Sequence, residues 1–93
     1  MYTDLYDNYA NLCNAIIIQA TKEYRAGIEE ISSLKSKLES SDNTKYKREI
    51  KERIMFLDTN QCSIEKFFHS AWFKMLTDVD GDYLLNRLKG EYV

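Results

Sequence analysis

The chain has 93 residues, no proline and only three glycines, at positions 27, 81 and 90. Proline and glycine are the residues that most often end or bend a helix. Apolar residues recur at steps of three and four from Leu5 to Leu38, and the alternation typical of strands is missing. We therefore predict an all-α protein with long helices. A chain of this length holds one hydrophobic core, so residues 1–93 should form a single domain.

The apolar spacing predicts two long helices, residues 4–39 and 44–69, that form an antiparallel hairpin around a polar loop. The second helix could instead break at residues 58–60 and restart with Ser63 as its cap. We favour one continuous helix because the apolar register continues across these residues. Gly27, inside the first helix, marks either a bend or a close contact between helices.

Two short C-terminal helices are expected to close the open end of the hairpin. Ser70 can cap the first of them, through about Leu76, and the second should run from about residue 82 to 89. Between them and the hairpin lies the densest apolar stretch of the sequence. We expect its large side chains to fill the open end of the helix pair; they are Phe67, Phe68, Trp72, Phe73, Met75 and Leu76.

The segment "DVDGD", residues 78–82, looks most like a chemical site. An EF-hand loop has glycine at its sixth position and a calcium-binding glutamate at its twelfth. If the loop starts at Asp78, its twelfth position is Lys89; if Gly81 is the sixth position, the twelfth is Arg87. Both alignments therefore fail. As the nucleophile motif of a phosphatase it lacks the preceding buried strand. We predict a turn instead, with Asp80 as the N-cap of the last helix and Gly81 and Asp82 in its first turn.

No other pattern indicates catalysis. His69 is the single histidine, and Cys13 and Cys62 are too far apart in sequence for a disulfide framework or a zinc site. Cys62 and His69 lie seven residues apart, about 10 Å along a helix, which is beyond hydrogen-bond reach. We therefore predict that the protein is not an enzyme and has no catalytic residue, metal or cofactor. Both cysteines are expected to be buried thiols in a reducing cytoplasm.

Composition argues against membranes and against bulk attraction to nucleic acid. Thirteen basic and fifteen acidic side chains give a net charge of −2. The apolar run from Leu12 to Ala20 is shorter than the roughly 20 residues of a membrane span. The first twenty residues contain no lysine or arginine, so we expect no signal peptide and a cytoplasmic protein.

Two surfaces could bind a protein partner. The first is an acidic and aromatic patch near the N-terminus, formed by Tyr2, Tyr6 and Tyr9 with Asp4 and Asp7. These rings either pack in the monomer core, which we favour, or contact a positively charged protein surface. The second surface includes Ile17 and Ile18, which together with Ile16 cover too much of the helix circumference for one buried face. Either the helix is buried on two sides or these residues form a homodimer interface, which we favour.

A basic cluster in the second helix could contact nucleic acid. Its cations are Lys45, Lys47, Arg48, Lys51 and Arg53. Glu49 and Glu52 lie among them, a pattern that is also typical of a solvated helix face. We expect Tyr46 to point inward with Ile50 and Ile54. The solvated face is the favoured interpretation, and DNA or RNA contact is the alternative.

Two segments resemble small helical proteins encoded by phages and integrative elements of Firmicutes. They are "NAIIIQATKEYRAGI", residues 14–28, and "IEKFFHSAWFKMLTDVDGDYLLNRLK", residues 64–89. The resemblance implies a bacterial host cytoplasm and a host or defence protein as the partner. On this basis we predict a non-enzymatic protein-binding module, in its most specific form an inhibitor of a bacterial defence nuclease, similar to anti-CRISPR proteins. The alternative is a nucleic-acid-binding accessory protein that uses residues 45–53.

Overall fold

The computed structural model describes the backbone of residues 2–91 and the side chains of residues 9–91. Four helices follow one another along the chain: α1 (Tyr2–Ser40), α2 (Thr44–His69), α3 (Ala71–Leu76) and α4 (Gly81–Gly90). α1 and α2 pack against each other as a hairpin, and α3 and α4 pack at its open end. The prediction of an all-α helical hairpin with two short C-terminal helices is confirmed, and residues 2–91 contain no strand.

α2 is one continuous helix, as the apolar register predicts. It begins after Asn43, whose side chain accepts a hydrogen bond of 3.1 Å from the Tyr46 amide. Ser63 does not cap a new helix. Its hydroxyl donates to the carbonyl of Thr59 over 3.2 Å, and the Thr59 hydroxyl donates to the carbonyl of Met55 over 3.0 Å. These side chains bond to carbonyls one turn back, a contact that leaves the helix intact.

The turn between α2 and α3 depends on Ser70. Its hydroxyl donates to the Phe67 carbonyl over 2.6 Å and accepts from the Phe73 amide over 3.1 Å. The same side chain therefore closes the end of α2 and caps the start of α3, as predicted. The turn brings the Phe68 and Phe73 rings together, with their centroids 5.4 Å apart.

The core lies where α3 and α4 pack on the hairpin. We call its buried residues the core cluster: Tyr24, Phe68, Phe73, Leu85 and Leu88. The prediction that the aromatic stretch fills the open end of the hairpin is correct for Phe68 and Phe73. It is wrong for Trp72, which is 54% exposed, and for Met75, which is also exposed. α3 has six residues, so it buries one narrow side and leaves these two side chains facing outward.

Gly27 marks a close contact between helices, one of the two alternatives that its position allows. A β-carbon on Gly27 would lie 2.3 Å from the Gln61 side-chain oxygen. Gln61 in turn donates through Nε2 to the carbonyl of Tyr24 over 2.9 Å. α1 continues through Gly27 without a break. Because Gly27 has no side chain, the side-chain amide of Gln61 can reach the backbone of α1.

The molecule is elongated, with extents of 62 × 23 × 20 Å. Its radius of gyration is 17.3 Å, against about 12 Å for a compact chain of this length. α1 has 39 residues and α2 has 26, and a three-residue loop aligns them at the hairpin tip. The difference corresponds to about 20 Å of helix. The first part of α1 therefore extends past the end of α2, and we call residues 2–12 the N-terminal arm.

Candidate functional site

The segment 78–82 is a helix cap, as predicted. The Asp80 carboxylate accepts from the Asp82 amide over 2.9 Å, and α4 begins at Gly81. The Asp82 carboxylate pairs with Nδ1 of His69, which lies at the end of α2. Among the residues that the structure describes, no group of histidine, cysteine and carboxylate side chains could hold a metal ion.

Gly81 has a role that the sequence did not reveal. It is buried, and a β-carbon on it would lie 1.9 Å from the carbonyl oxygen of Phe68 and 3.3 Å from the Phe73 ring. The start of α4 thus touches the backbone of α2 directly. The glycine is needed for this close approach of two helices and not for an unusual turn conformation, because no glycine among the described residues has a positive φ.

The two cysteines differ in their environments. Cys13 is buried, as predicted, whereas Cys62 is exposed, so the prediction of a second buried thiol is wrong. Cys62 lies beside α1 in a cavity that Tyr24 and Ile28 also line, and this cavity is open to solvent, so the thiol stays exposed. His69 contacts Asp82. The arrangement provides no thiol–imidazole pair for nucleophilic chemistry.

A polar network joins α1, α2 and α4. One oxygen of Glu65 accepts from the Tyr24 hydroxyl over 2.9 Å and lies 3.0 Å from Nζ of Lys89. Burial, together with the bond to Glu65, raises the pKa of the Tyr24 phenol. Burial would also raise the pKa of Glu65, but the hydrogen bonds from Lys89 and Tyr24 outweigh it and hold that pKa below its usual value. The network stabilises an ionised carboxylate between helices, so its role is structural.

We expect Glu65→Gln to reduce stability at neutral pH by about 1 kcal/mol, because it removes hydrogen bonds to a charged acceptor. A carboxyl whose folded pKa is lowered stabilises the protein above its unfolded pKa of about 4.3 and stops doing so as the pH falls through its folded pKa. The variant should therefore lose less stability than the wild type between pH 5 and pH 2, as measured by urea unfolding. Glu49→Gln, at an exposed position, should keep the wild-type profile; identical profiles for all three proteins would contradict the assignment.

The basic cluster of α2 is only partly available to a ligand. Lys45, Arg48 and Lys51 are exposed, together with Glu49 and Glu52. Arg53 donates to both carboxylate oxygens of Glu30, over 3.1 and 3.4 Å, and its guanidinium lies 5.3 Å from the Phe56 ring centroid. One of the five predicted nucleic-acid contacts is thus engaged within the hairpin. The remaining cations are interleaved with acidic side chains.

The inward orientation predicted for Tyr46 is wrong. Tyr46 is exposed, while Lys47 is half-buried and Ile50 is buried. Tyr46 occupies the first turn of α2, beside the loop at the hairpin tip, where the end of α1 provides little surface to cover it. The rest of the α2 register follows the prediction.

The two predicted protein-binding surfaces fall in different parts of α1. Tyr2, Asp4, Tyr6 and Asp7 belong to the N-terminal arm by their backbone, and their side chains lie outside the described residues. Tyr9 is 59% exposed, so the favoured packing in the monomer core is wrong for this ring, which lies on the part of α1 that extends past α2. Ile17 packs against the core cluster. Ile18 is 52% exposed. The homodimer stays a prediction at this point.

An apolar groove runs between α1 and α2 on one face of the hairpin. It has a volume of about 520 Å³, is shallow and is widely open to solvent. Its floor and walls come from α1, α2 and Trp72 of α3; the lining residues are Ala15, Ile16, Gln19, Ala20, Glu23, Ser63, Ile64, Phe67 and Trp72. The half-buried Phe67 ring lies edge-on to the Trp72 ring, with centroids 5.4 Å apart. This pair fixes the exposed indole at the mouth of the groove.

The groove and α4 lie on opposite sides of the hairpin. α4 is attached through Arg25 and Glu65, which pair with Glu91 and Lys89 over 2.7 and 3.0 Å. The groove is lined by Glu23, two residues before Arg25, and by Ser63 and Phe67, two residues before and after Glu65. Two residues along a helix correspond to a rotation of about 200°. We call the side that carries the groove the open face.

The sequence contained one signal for this groove. Three consecutive isoleucines at 16–18 cannot all face one core, and the structure gives each a different environment. Ile16 lines the groove, Ile17 packs on the core cluster, and Ile18 is exposed on another side of α1. Trp72 gave no separate signal, because periodicity does not distinguish a core ring from an exposed one in a helix of six residues.

Comparisons with protein-family models, with curated proteins and with solved structures found no match to this chain. Within residues 2–91, no helix combines the length and the apolar character that crossing a membrane requires.

Proposed function

We propose that this chain is a non-enzymatic protein-binding module that holds an apolar helix of a protein chain in the groove of its open face. The observation that carries the proposal is the apolar groove with Trp72 half exposed at its mouth. Tryptophan is among the residues that contribute most to protein–protein binding energy. Covering this apolar lining with the apolar side of a partner helix would be favourable in water.

The shape and the chemistry of the groove favour a helix. Its lining comes mainly from two packed helices, α1 and α2, and a hydrophobic groove is the kind of site that receives the apolar face of an amphipathic helix in helix-in-groove complexes. Gln19 and Glu23 provide polar groups from α1, and Ser63 provides a hydroxyl from α2. An occupant with apolar side chains at helical spacing and polar flanks would match this distribution.

The same chemistry disfavours nucleic acid in the groove. None of the described residues that line it carries a positive charge, and Glu23 carries a negative one. A phosphate backbone requires cations for most of its affinity. The alternative function, nucleic-acid binding through residues 45–53, would therefore use a different surface, on which glutamates alternate with the cations.

The narrower expectation is that the partner is a bacterial host or defence protein, including a defence nuclease that the chain inhibits. It is supported by the resemblance of residues 14–28 and 64–89 and stays a prediction. A groove that binds a helix is compatible with such a role, since inhibition can be achieved by occupying a protein surface without chemistry.

Site-specific photo-crosslinking tests the proposed function. Trp72 is replaced by benzoylphenylalanine, an aromatic residue that crosslinks on irradiation, and the full chain is irradiated in a nuclease-treated and an untreated lysate of a Firmicutes bacterium. The matched control carries benzoylphenylalanine at Met55, which is exposed on α2. We expect a protein adduct at position 72 in both lysates, mapped by mass spectrometry to an apolar helical segment, and no such adduct at position 55.

Three results would overturn the proposal: an adduct that disappears with nuclease, an adduct formed equally from position 55, or no adduct at position 72. Loss of all binding when Lys47, Arg48 and Lys51 are replaced, together with strong salt dependence, would instead establish the nucleic-acid alternative.

A further inference from the structure

We infer that the occupant of the groove is the N-terminal arm of a second copy of this chain, so that two copies exchange arms around a twofold axis at Ile16. The inference rests on the proposed function, because it assumes that the open face binds a helix. It adds the identity of that helix and the register in which it binds.

The first argument is continuity between the arm and the groove. Tyr9 and Leu12 are each 59% exposed. Together with Ile16 and Ala20, which line the groove, they follow steps of three and four along α1 and so share one side of the helix. The apolar stripe of the groove thus continues onto the arm, past the point where α2 ends. Within the monomer the described part of this stripe on the arm stays in contact with water.

The second argument is the register that a twofold axis imposes. If two α1 helices cross antiparallel with Ile16 facing Ile16 of the second copy, Leu12 faces Ala20 of the second copy and Tyr9 faces its Glu23. Leu12 then enters the groove, and the Tyr9 hydroxyl can donate to a carboxylate at the edge. Each contact occurs twice, and the assembly closes as an isologous dimer. No other chain is required to complete the interface.

The third argument is the amount of exposed surface. The chain exposes 7148 Å², about a quarter more than the roughly 5,600 Å² expected for a compact monomer of its mass. A specific interface of standard size removes about 800 Å² from each partner. The excess surface of one chain is therefore large enough for a stable dimer. The twofold arrangement would cover the part of it that includes Tyr9, Leu12 and the groove, and the tip of the hairpin would stay in contact with water.

Molar mass in solution is the first test. Sedimentation equilibrium of the wild-type full chain should give twice 11.0 kDa. Leu12→Glu should give the monomer mass, because it places a charge in the partner's groove. Ile18→Glu is the matched control: it makes the same change on the same helix, at a similarly exposed position outside the groove, and it should remain dimeric. Both positions are exposed, so both variants should keep the helix content and melting behaviour of a folded chain by circular dichroism.

Crosslinking at the proposed axis tests the register. In a Cys62→Ser background, which removes the exposed thiol, Ile16→Cys should be converted to a covalent dimer by a short bismaleimide. Ile18→Cys should not, because residue 18 of each chain would face away from the other chain. The inferred interface thus differs from the one predicted from the sequence, which included Ile17 and Ile18. Efficient dimer formation through position 18 together with none through position 16 would overturn the arrangement.

A wild-type chain that is monomeric up to about 0.5 mM would also overturn the inference, as would a Leu12→Glu variant that remains dimeric. These results separate the two proposals. A monomeric chain that still crosslinks from position 72 to a helix of another protein would support the proposed function and contradict only the identification of the occupant as a second copy. A monomeric chain with no protein adduct at position 72 would contradict both the proposed function and the inferred dimer.

Discussion

Replacing Gly81 with alanine is expected to destabilise the protein by about 3 kcal/mol, the upper end of the usual cost of overpacking. The new methyl group would lie 1.9 Å from the carbonyl oxygen of Phe68. That oxygen belongs to the backbone of α2 and cannot rotate away. α4 would have to move off the hairpin, and Leu85 and Leu88 of the core cluster would move with it.

Two other glycines provide matched controls in urea unfolding experiments. Gly90→Ala has no atom within 4 Å of the new methyl group and should be neutral or slightly stabilising. Gly27→Ala would contact the end of the Gln61 side chain, which can swing aside at the cost of its hydrogen bond to Tyr24. Its effect should fall between the other two. Equal effects at positions 81 and 90 would contradict the close approach of α4 to α2.

Most of the fold could be predicted because the chain follows local rules closely. The absence of proline and the sustained three-and-four spacing predicted α1 and α2, and capping residues predicted the other boundaries. Asn43, Ser70 and Asp80 each accept a hydrogen bond from an amide in the helix that follows, as expected for residues of their type. In these places local propensity and tertiary packing agree.

The parts that could not be predicted depend on how helices pack. The predicted place of Gly81 in the first turn of α4 is correct, but the sequence shows only that a side chain is missing and does not show which backbone approaches it. The sequence predicts Trp72 and Met75 in the core, which is wrong, because a short helix has too few residues for its periodicity to identify the buried side. Cys62 is exposed because it lies at the edge of the contact between α1 and α2, in a cavity open to solvent. The apolar pattern predicts which side of α2 faces α1 but not where the edge of that contact lies.

The candidate site was harder to predict than the fold for the same reason. A groove on the open face exists because α4 packs on one side of the hairpin and leaves the other to Trp72 and Phe67. The sequence predicts that a fourth helix exists but not which side it covers. The triple isoleucine at 16–18 showed that α1 has more apolar surface than one core needs, and packing decided which of the three lies in the groove.

Phe73→Ala is expected to reduce the free energy of unfolding by about 3–5 kcal/mol. Its side chain is fully buried, and it contacts the rings of Phe67 and Phe68 with centroids 5.5 and 5.4 Å away. The truncation removes apolar contacts with α2 and leaves a cavity beneath α4. Because domains of this size are stable by only about 5–15 kcal/mol, the truncation should remove a large fraction of the free energy of unfolding and lower the urea midpoint accordingly.

The matched control for that truncation is Phe56→Ala. Phe56 is 55% exposed, and its ring contacts the guanidinium of Arg53, so its loss should cost about 1 kcal/mol or less. Dimerisation would stabilise the folded state and make the midpoint depend on protein concentration. Both truncations are therefore best measured in the Leu12→Glu background, which is expected to be monomeric. In that background, the difference between the stability losses of Phe73→Ala and Phe56→Ala reports the packing of the core alone. A difference below about 1 kcal/mol would show that α3 does not hold α4 on the hairpin.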